Sequence, residues 1–191
     1  MAAVGGAGIK SRAAVFGSLG GIAAALGLCA FFFRLSGLTG FFMEEIQLFS
    51  YISGGKHSIE FFSKFLMAIV ILGASGVIMD AAISVSSSLC ELKSKHPLLS
   101  RRRLYESGRA VGGDVSSTMV NTLIMAYLGG MLGVILVKNL RITSLTQLFN
   151  LPFFHFEVYR ALLGAAGFSV AIWLTVWSAA RLASRKEKQL P

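Results

Sequence analysis

Apolar residues gather in four long runs, about 13–33, 61–87, 115–137 and 161–183, and charged residues collect between them. Each run reaches the roughly 20 residues that an α-helix needs to cross a bilayer. The pattern predicts an all-α integral membrane protein, a single membrane domain over 1–191 with four transmembrane helices and short interfacial helices. The second run is longer than a span requires, so its helix should tilt or protrude. Lys64, near its start, can snorkel to the headgroups. The first run follows Lys10 and Arg12, as the core of a signal peptide would. Such a core is only about 7–15 residues long and is closed by a small-x-small cleavage site, which this run lacks. Leu28 also stands where a lipoprotein site ahead of Cys29 needs a small residue. The run reads as a true span.

The connections carry their own patterns. Phe41 to Phe49 reads as a short amphipathic helix lying at the interface, broken by Ser53-Gly54-Gly55. A basic connection occupies 91–113, with Pro97 ending one helix and Ser100 placed to cap another through Arg101, Arg102, Arg103, Leu104, Tyr105 and Glu106. Gly108, Gly112 and Gly113 then permit a change of direction before the third span. The semi-apolar stretch from Lys138 to Tyr159, rich in phenylalanine, predicts an interfacial or shallow re-entrant segment. Trp173 and Trp177 suit the inner half and interface of the fourth span.

Composition agrees with this picture. Of 191 residues, 54% are hydrophobic and 14% charged, and the mean hydropathy is +0.69; an ordinary soluble domain has neither figure. A net charge of +9 would suit nucleic acid, but the basic residues stand beside the apolar runs, where they mark membrane topology instead. With both termini in the cytoplasm, twelve basic residues fall inside: Lys10, Arg12, Lys93, Lys95, Arg101, Arg102, Arg103, Arg109, Arg181, Arg185, Lys186 and Lys188. Six fall outside or at outer helix ends: Arg34, Lys56, Lys64, Lys138, Arg141 and Arg160. The asymmetry predicts N-in, C-in in a plasma membrane. Cys29 and Cys90 should end in opposite halves of the bilayer, so no disulfide follows. The three consecutive arginines read either as a topology signal touching anionic lipid or as a docking surface at 100–113 for a cytoplasmic partner.

Candidate chemistry lies inside the spans. Gly73, Gly76, Asp80, Ser84 and Ser87 recur at intervals of three or four and share one helix stripe. A carboxylate at mid-bilayer costs roughly 2.5–3.5 kcal/mol on insertion scales and normally faces a partner or a water-filled cavity. The third span has a matching stripe in Asp114, Thr118, Asn121 and Met125, with Ser117 close to it. Asp80 lies eight residues before Ser88 and Asn121 eight after Gly113, each about 12 Å from the inner end at 1.5 Å per residue. The two are therefore expected at one depth, with Thr118, Ser84 and Ser87 beneath them and Asp114 at the mouth. Gly17 with Gly21, Gly73 with Gly76, and Gly129 with Gly133 are candidates for close helix packing. The glycines of the third span sit inside a helix, so they do not make a phosphate loop. Paired cysteines and a triad order are missing, and His57, His96 and His155 have no ligand spacing. No enzyme, cofactor or metal is expected.

The stretch from Gly76 to Gly130 carries Met79-Asp80, a serine-rich turn ending at Glu91, and Ser107-Gly108. It continues with Gly112, Asp114, Thr118-Met119, Asn121-Thr122-Leu123 and Gly129-Gly130. It resembles the signature region of the YibE/F family of bacterial membrane proteins. Milder similarity covers Ser11 to Gly21, Leu38-Thr39-Gly40, Glu44-Glu45, and Glu157 to Gly164. The resemblance implies a multi-span protein of the bacterial inner membrane, in the short form without the extracytoplasmic domain of long members. It implies no activity. Where the family commonly has an arginine before the Asp114 position, this chain has Gly113. Two functional readings stand: a transporter or permease-like subunit using the Asp80–Asn121 layer for solute, ion or proton handling, and a structural or assembly protein in which that layer only fixes helix packing. Four spans are few for a complete pathway, so a homo-oligomer or second membrane subunit is expected.

Overall fold

The computed structural model describes residues 8–36, 44–52, 59–139 and 145–187. Six helices occupy them: α1 (Ile9–Ser36), α2 (Glu44–Ile52), α3 (Ile59–Lys95), α4 (Arg101–Asn139), α5 (Leu145–Phe149) and α6 (Pro152–Glu187). Among the described residues α1, α3, α4 and α6 are long and apolar enough to cross a membrane. The expected glycine break at Ser53–Gly55, the start of the interfacial helix at Phe41, and His57 lie outside the described residues.

Helix α6 is the hub, with α1, α3 and α4 all packed on it. Along α1, Gly17 faces Thr175 and Ala171, and Gly21 faces Ala171, Gly167 and Ile78. These pairings run antiparallel. Helix α3 runs parallel to α6, with Gly73 beside Arg160 and Ile78 against Gly167. Helix α4 is antiparallel again: Gly108 meets Val176, Gly112 meets Ile172, and Leu123 meets Gly164. The start of α1, the α3–α4 turn and the end of α6 therefore share one end of the bundle.

Small residues explain why the helices meet where they do. Lipid tails are as apolar as leucine, so spans associate through close packing and interhelical hydrogen bonds. Buried positions accordingly include Ala13, Ala25, Ala74, Ala81, Ala82, Ala171, Ala179 and Ala180. Two hydroxyls add polar links at the shared end. Ser86 Oγ donates to the Lys10 carbonyl at 2.5 Å, and Ser178 Oγ reaches the Ala13 carbonyl at 3.5 Å. At the other end Cys29, Phe33, Phe62, Leu66, Phe156 and Leu163 form a second apolar cluster. Helix α2 inserts Ile46 into it, which seats this short helix against the end of the bundle.

Two boundaries differ from the sequence reading. Helix α4 runs unbroken through Gly108, Gly112 and Gly113, where a change of direction was expected. Gly108 and Gly112 serve contact instead: a Cβ would sit 2.7 Å from Val176 Cγ1 at the first and 2.6 Å from Ile172 Cγ2 at the second. At 39 residues, α4 is about 58 Å long, well beyond a hydrocarbon core of about 30 Å. The second difference is in the stretch from Lys138 to Tyr159. Its described part holds the five residues of α5 and the first turns of α6, beginning at Pro152. Proline is pre-shaped for the first position of a helix. Phe149 and Phe154 pack edge to face with centroids 5.0 Å apart across the join.

The α3–α4 turn is tied locally. Lys93 Nζ donates to the carbonyls of Pro97 and Leu99 at 2.7 and 2.9 Å. Ser100 Oγ accepts from the Arg103 amide at 3.4 Å, a weak N-cap contact.

Candidate functional site

The two polar stripes lie on outward faces of the four-helix unit. On α3, Gly73, Gly76, Asp80 and Ser84 are exposed and Ser87 is half-buried. On α4, Asp114, Thr118, Asn121 and Met125 are exposed, as are Ser117 and Thr122. Three hydroxyls on α4 are satisfied within their own helix. Ser117 donates to the Gly113 carbonyl at 3.0 Å, Thr118 to Asp114 at 3.1 Å, and Thr122 to Thr118 at 3.0 Å. Among the described residues the side chains of Asp80, Asp114 and Asn121 have no hydrogen-bond or ion-pair partner, and no hydrogen bond joins one stripe to the other. Helix α6 serves as a ruler for depth. Ile78 lies at Gly167, while Gly112 lies at Ile172 and Leu123 at Gly164. By that scale Asp80 stands level with the part of α4 around Thr118.

The glycine pairs divide in the same way. Gly17 and Gly21 are buried against α6, and Gly73 has the Arg160 guanidinium beside it. Among the described residues, Gly76, Gly129 and Gly133 have nothing within 4 Å of where a Cβ would stand. Gly76 shares the Asp80 stripe on α3, and Gly129 and Gly133 are exposed on α4, so each helix offers small and polar groups outward.

A second polar cluster escaped the sequence reading. Glu157 and Arg160 of α6 sit one turn apart, with Arg160 Nη1 3.6 Å from Glu157 Oε1. The Arg160 guanidinium lies over the Tyr127 ring of α4, 5.1 Å from its centroid, and passes 3.0 Å from the Cβ position of Gly73 on α3. Glu157 is 8% exposed, and the buried Nε of Arg160 has no hydrogen-bond partner. The cluster thus joins three helices around one ion pair and retains a donor without an acceptor. Placing the fourth span at 161–183 had left both charges at its margin. The observed start at Pro152 puts Arg160 two turns into the helix. The available signal was the i, i+3 spacing of opposite charges within an aromatic-rich segment.

No three His, Cys, Asp or Glu side chains converge among the described residues. His155 is exposed, and its Nδ1 lies 3.2 Å from the Leu151 carbonyl of its own helix.

A family model described as YibE/F-like protein matches residues 1–185. The chain belongs to this family. The match covers all four long helices and both polar clusters, so the architecture above is that of a YibE/F-like protein. No curated protein and no solved structure matches the chain.

Proposed function

We propose that this YibE/F-like chain is a transporter or permease-like subunit of a bacterial inner membrane, with N and C termini in the cytoplasm, and that its polar surface on α3 and α4 handles a solute, ion or proton together with a companion subunit. The observation that carries the reading is the outward placement of Asp80, Asp114 and Asn121 without partners among the described residues. Facing lipid, an ionised carboxylate deep in a span costs roughly 2.5–3.5 kcal/mol on insertion scales. A water-lined boundary with a second copy, or with another membrane protein, removes that penalty and provides a path that four helices alone do not. The basic residues gathered at the shared end support the orientation.

A purely structural role is the second reading, favoured by the open Cβ positions at Gly76, Gly129 and Gly133. These suit close approach of a neighbouring helix whether or not anything is transported. The two readings separate at Asp80. Asp80→Asn keeps volume and hydrogen-bonding capacity and removes the titratable charge. Transport predicts normal insertion and thermal stability with loss of the growth or uptake phenotype. If Asp80→Asn matches wild type in every functional assay while Asp80→Ala only destabilises the assembly, the carboxylate is a packing device and the transport reading falls.

A further inference from the structure

At the shared end of the bundle a groove of about 410 Å³ opens between the first turns of α4 and the last turns of α6. Arg101, Arg102 and Tyr105 line one side, and Trp177 and Ala180 the other. The guanidinium of Arg181 lies over the Trp177 ring, 3.8 Å from its centroid. The acids nearby are already engaged. Glu106 takes Arg102 at 3.0 Å and Glu91 takes Lys95 at 2.8 Å, both in exposed pairs that water weakens. Arg101 has no acidic partner among the described residues.

We infer that this groove is a binding site for one anionic phospholipid. The rim is cationic and the walls are aromatic and apolar, so an occupant must bring a negative group joined to apolar mass. Guanidinium groups form paired N–H···O bonds with a phosphodiester and are less strongly hydrated than ammonium groups. Tryptophan and tyrosine rings belong at headgroup level, where one edge is wet and the body is apolar. A phospholipid sets its phosphate between Arg101 and Arg102 and its glycerol and upper acyl carbons against Tyr105, Trp177 and Ala180. Free phosphate satisfies the arginines but leaves the aromatic wall uncovered. The site differs from the general attraction of a basic loop to an anionic surface, because two helices build it and it takes one lipid. It also links the α3–α4 turn to the end of the hub helix, and it does not depend on transport.

The test uses the full chain in mild detergent, titrated with dioleoylphosphatidylglycerol or dioleoylphosphatidylcholine and read by native mass spectrometry. One phosphatidylglycerol per chain is retained in preference to phosphatidylcholine. Arg101→Gln with Arg102→Gln reduces that retention about tenfold or more. The equal charge loss of Arg12→Gln with Lys95→Gln, outside the groove, leaves retention largely intact. An equal fall in both double variants means a diffuse field and overturns the site. Displacement of the lipid by millimolar inorganic phosphate assigns the groove to the free anion and also overturns it. A readout independent of the arginine variants comes from the Trp173→Phe protein, in which Trp177 is the remaining tryptophan. Brominated phosphatidylglycerol quenches its fluorescence more than brominated phosphatidylcholine does, and equal quenching counts against the site.

Discussion

Replacing Gly21 with alanine adds one methyl group at the crossing of three helices. Its carbon would stand 2.6 Å from Ala171 Cβ, 2.8 Å from the Gly167 carbonyl oxygen and 2.9 Å from Ile78 Cγ2. Ordinary contact needs about 3.5–4.0 Å between carbons. Helix α1 must therefore retreat by roughly 1 Å along this seam. Neither the alanine methyl nor the backbone oxygen can rotate away, which places the overpacking cost in the upper part of the range of about 1–3 kcal/mol. Alanine returns up to about 1 kcal/mol through its better helix propensity, leaving a net loss of about 1–2 kcal/mol. Gly27→Ala on the same helix is the control, because no described residue lies within 4 Å of its Cβ position. That variant keeps the propensity gain without the clash, so the two shifts have opposite signs. Thermal or denaturant unfolding of both proteins in one detergent measures the difference. Stabilisation of Gly21→Ala to the level of Gly27→Ala would refute the packing of α1 on α6.

Other substitutions address the outward faces and the buried pair. Gly129→Ala and Gly133→Ala touch nothing among the described residues, so both should leave an isolated monomer as stable as wild type or slightly more so; a loss of assembly on native gels then reports a neighbouring helix at this face. Arg160→Met leaves Glu157 buried without its counter-ion and should cost about 3 kcal/mol. Adding Glu157→Gln should recover most of that loss in the same unfolding assay, and failure to recover would show that Arg160 acts through packing on Tyr127 alone. In a background free of Cys29 and Cys90, an impermeant maleimide applied to intact cells should label a cysteine at Gly55 but not one at Leu98. The reverse pattern would invert the orientation.

The four spans were legible because length and hydropathy alone define them. What the spans face was not. In water a polar stripe marks the outside of a helix, whereas in lipid the packed face is marked by small size, and glycine pairs occur on packed and unpacked faces alike. Gly17–Gly21 and Gly129–Gly133 are indistinguishable as strings, yet the first pair lies against α6 and the second faces outward. The Asp80 and Asn121 stripes were readable as stripes. Helix rise put Asp80 level with Asn121, where the contacts along α6 put it level with the region of Thr118, and it did not say which way the stripes point. Gly108 and Gly112 looked like punctuation because glycine commonly serves that purpose in soluble proteins. Within a bundle the same lack of a side chain lets Val176 and Ile172 approach. The Glu157–Arg160–Tyr127 cluster needed residues from two distant helices, and a span boundary drawn by hydropathy had placed its charges at the edge.

The central position of α6 has a consequence for how the protein is made. Translation delivers α1, α3 and α4 before the helix on which all three converge. Helices α1 and α3 can associate early through Ile78 at Gly21 and Ser86 at the Lys10 carbonyl. Helix α4, which meets α6 from Gly108 to Tyr127, is synthesised before that surface exists. Until α6 enters, the nascent helix has only α3 to pack on, through contacts such as that of Gly108 with Leu89. Biogenesis is therefore most vulnerable in the interval between these two helices, and a ribosome stalled there would leave a three-helix intermediate without its keystone.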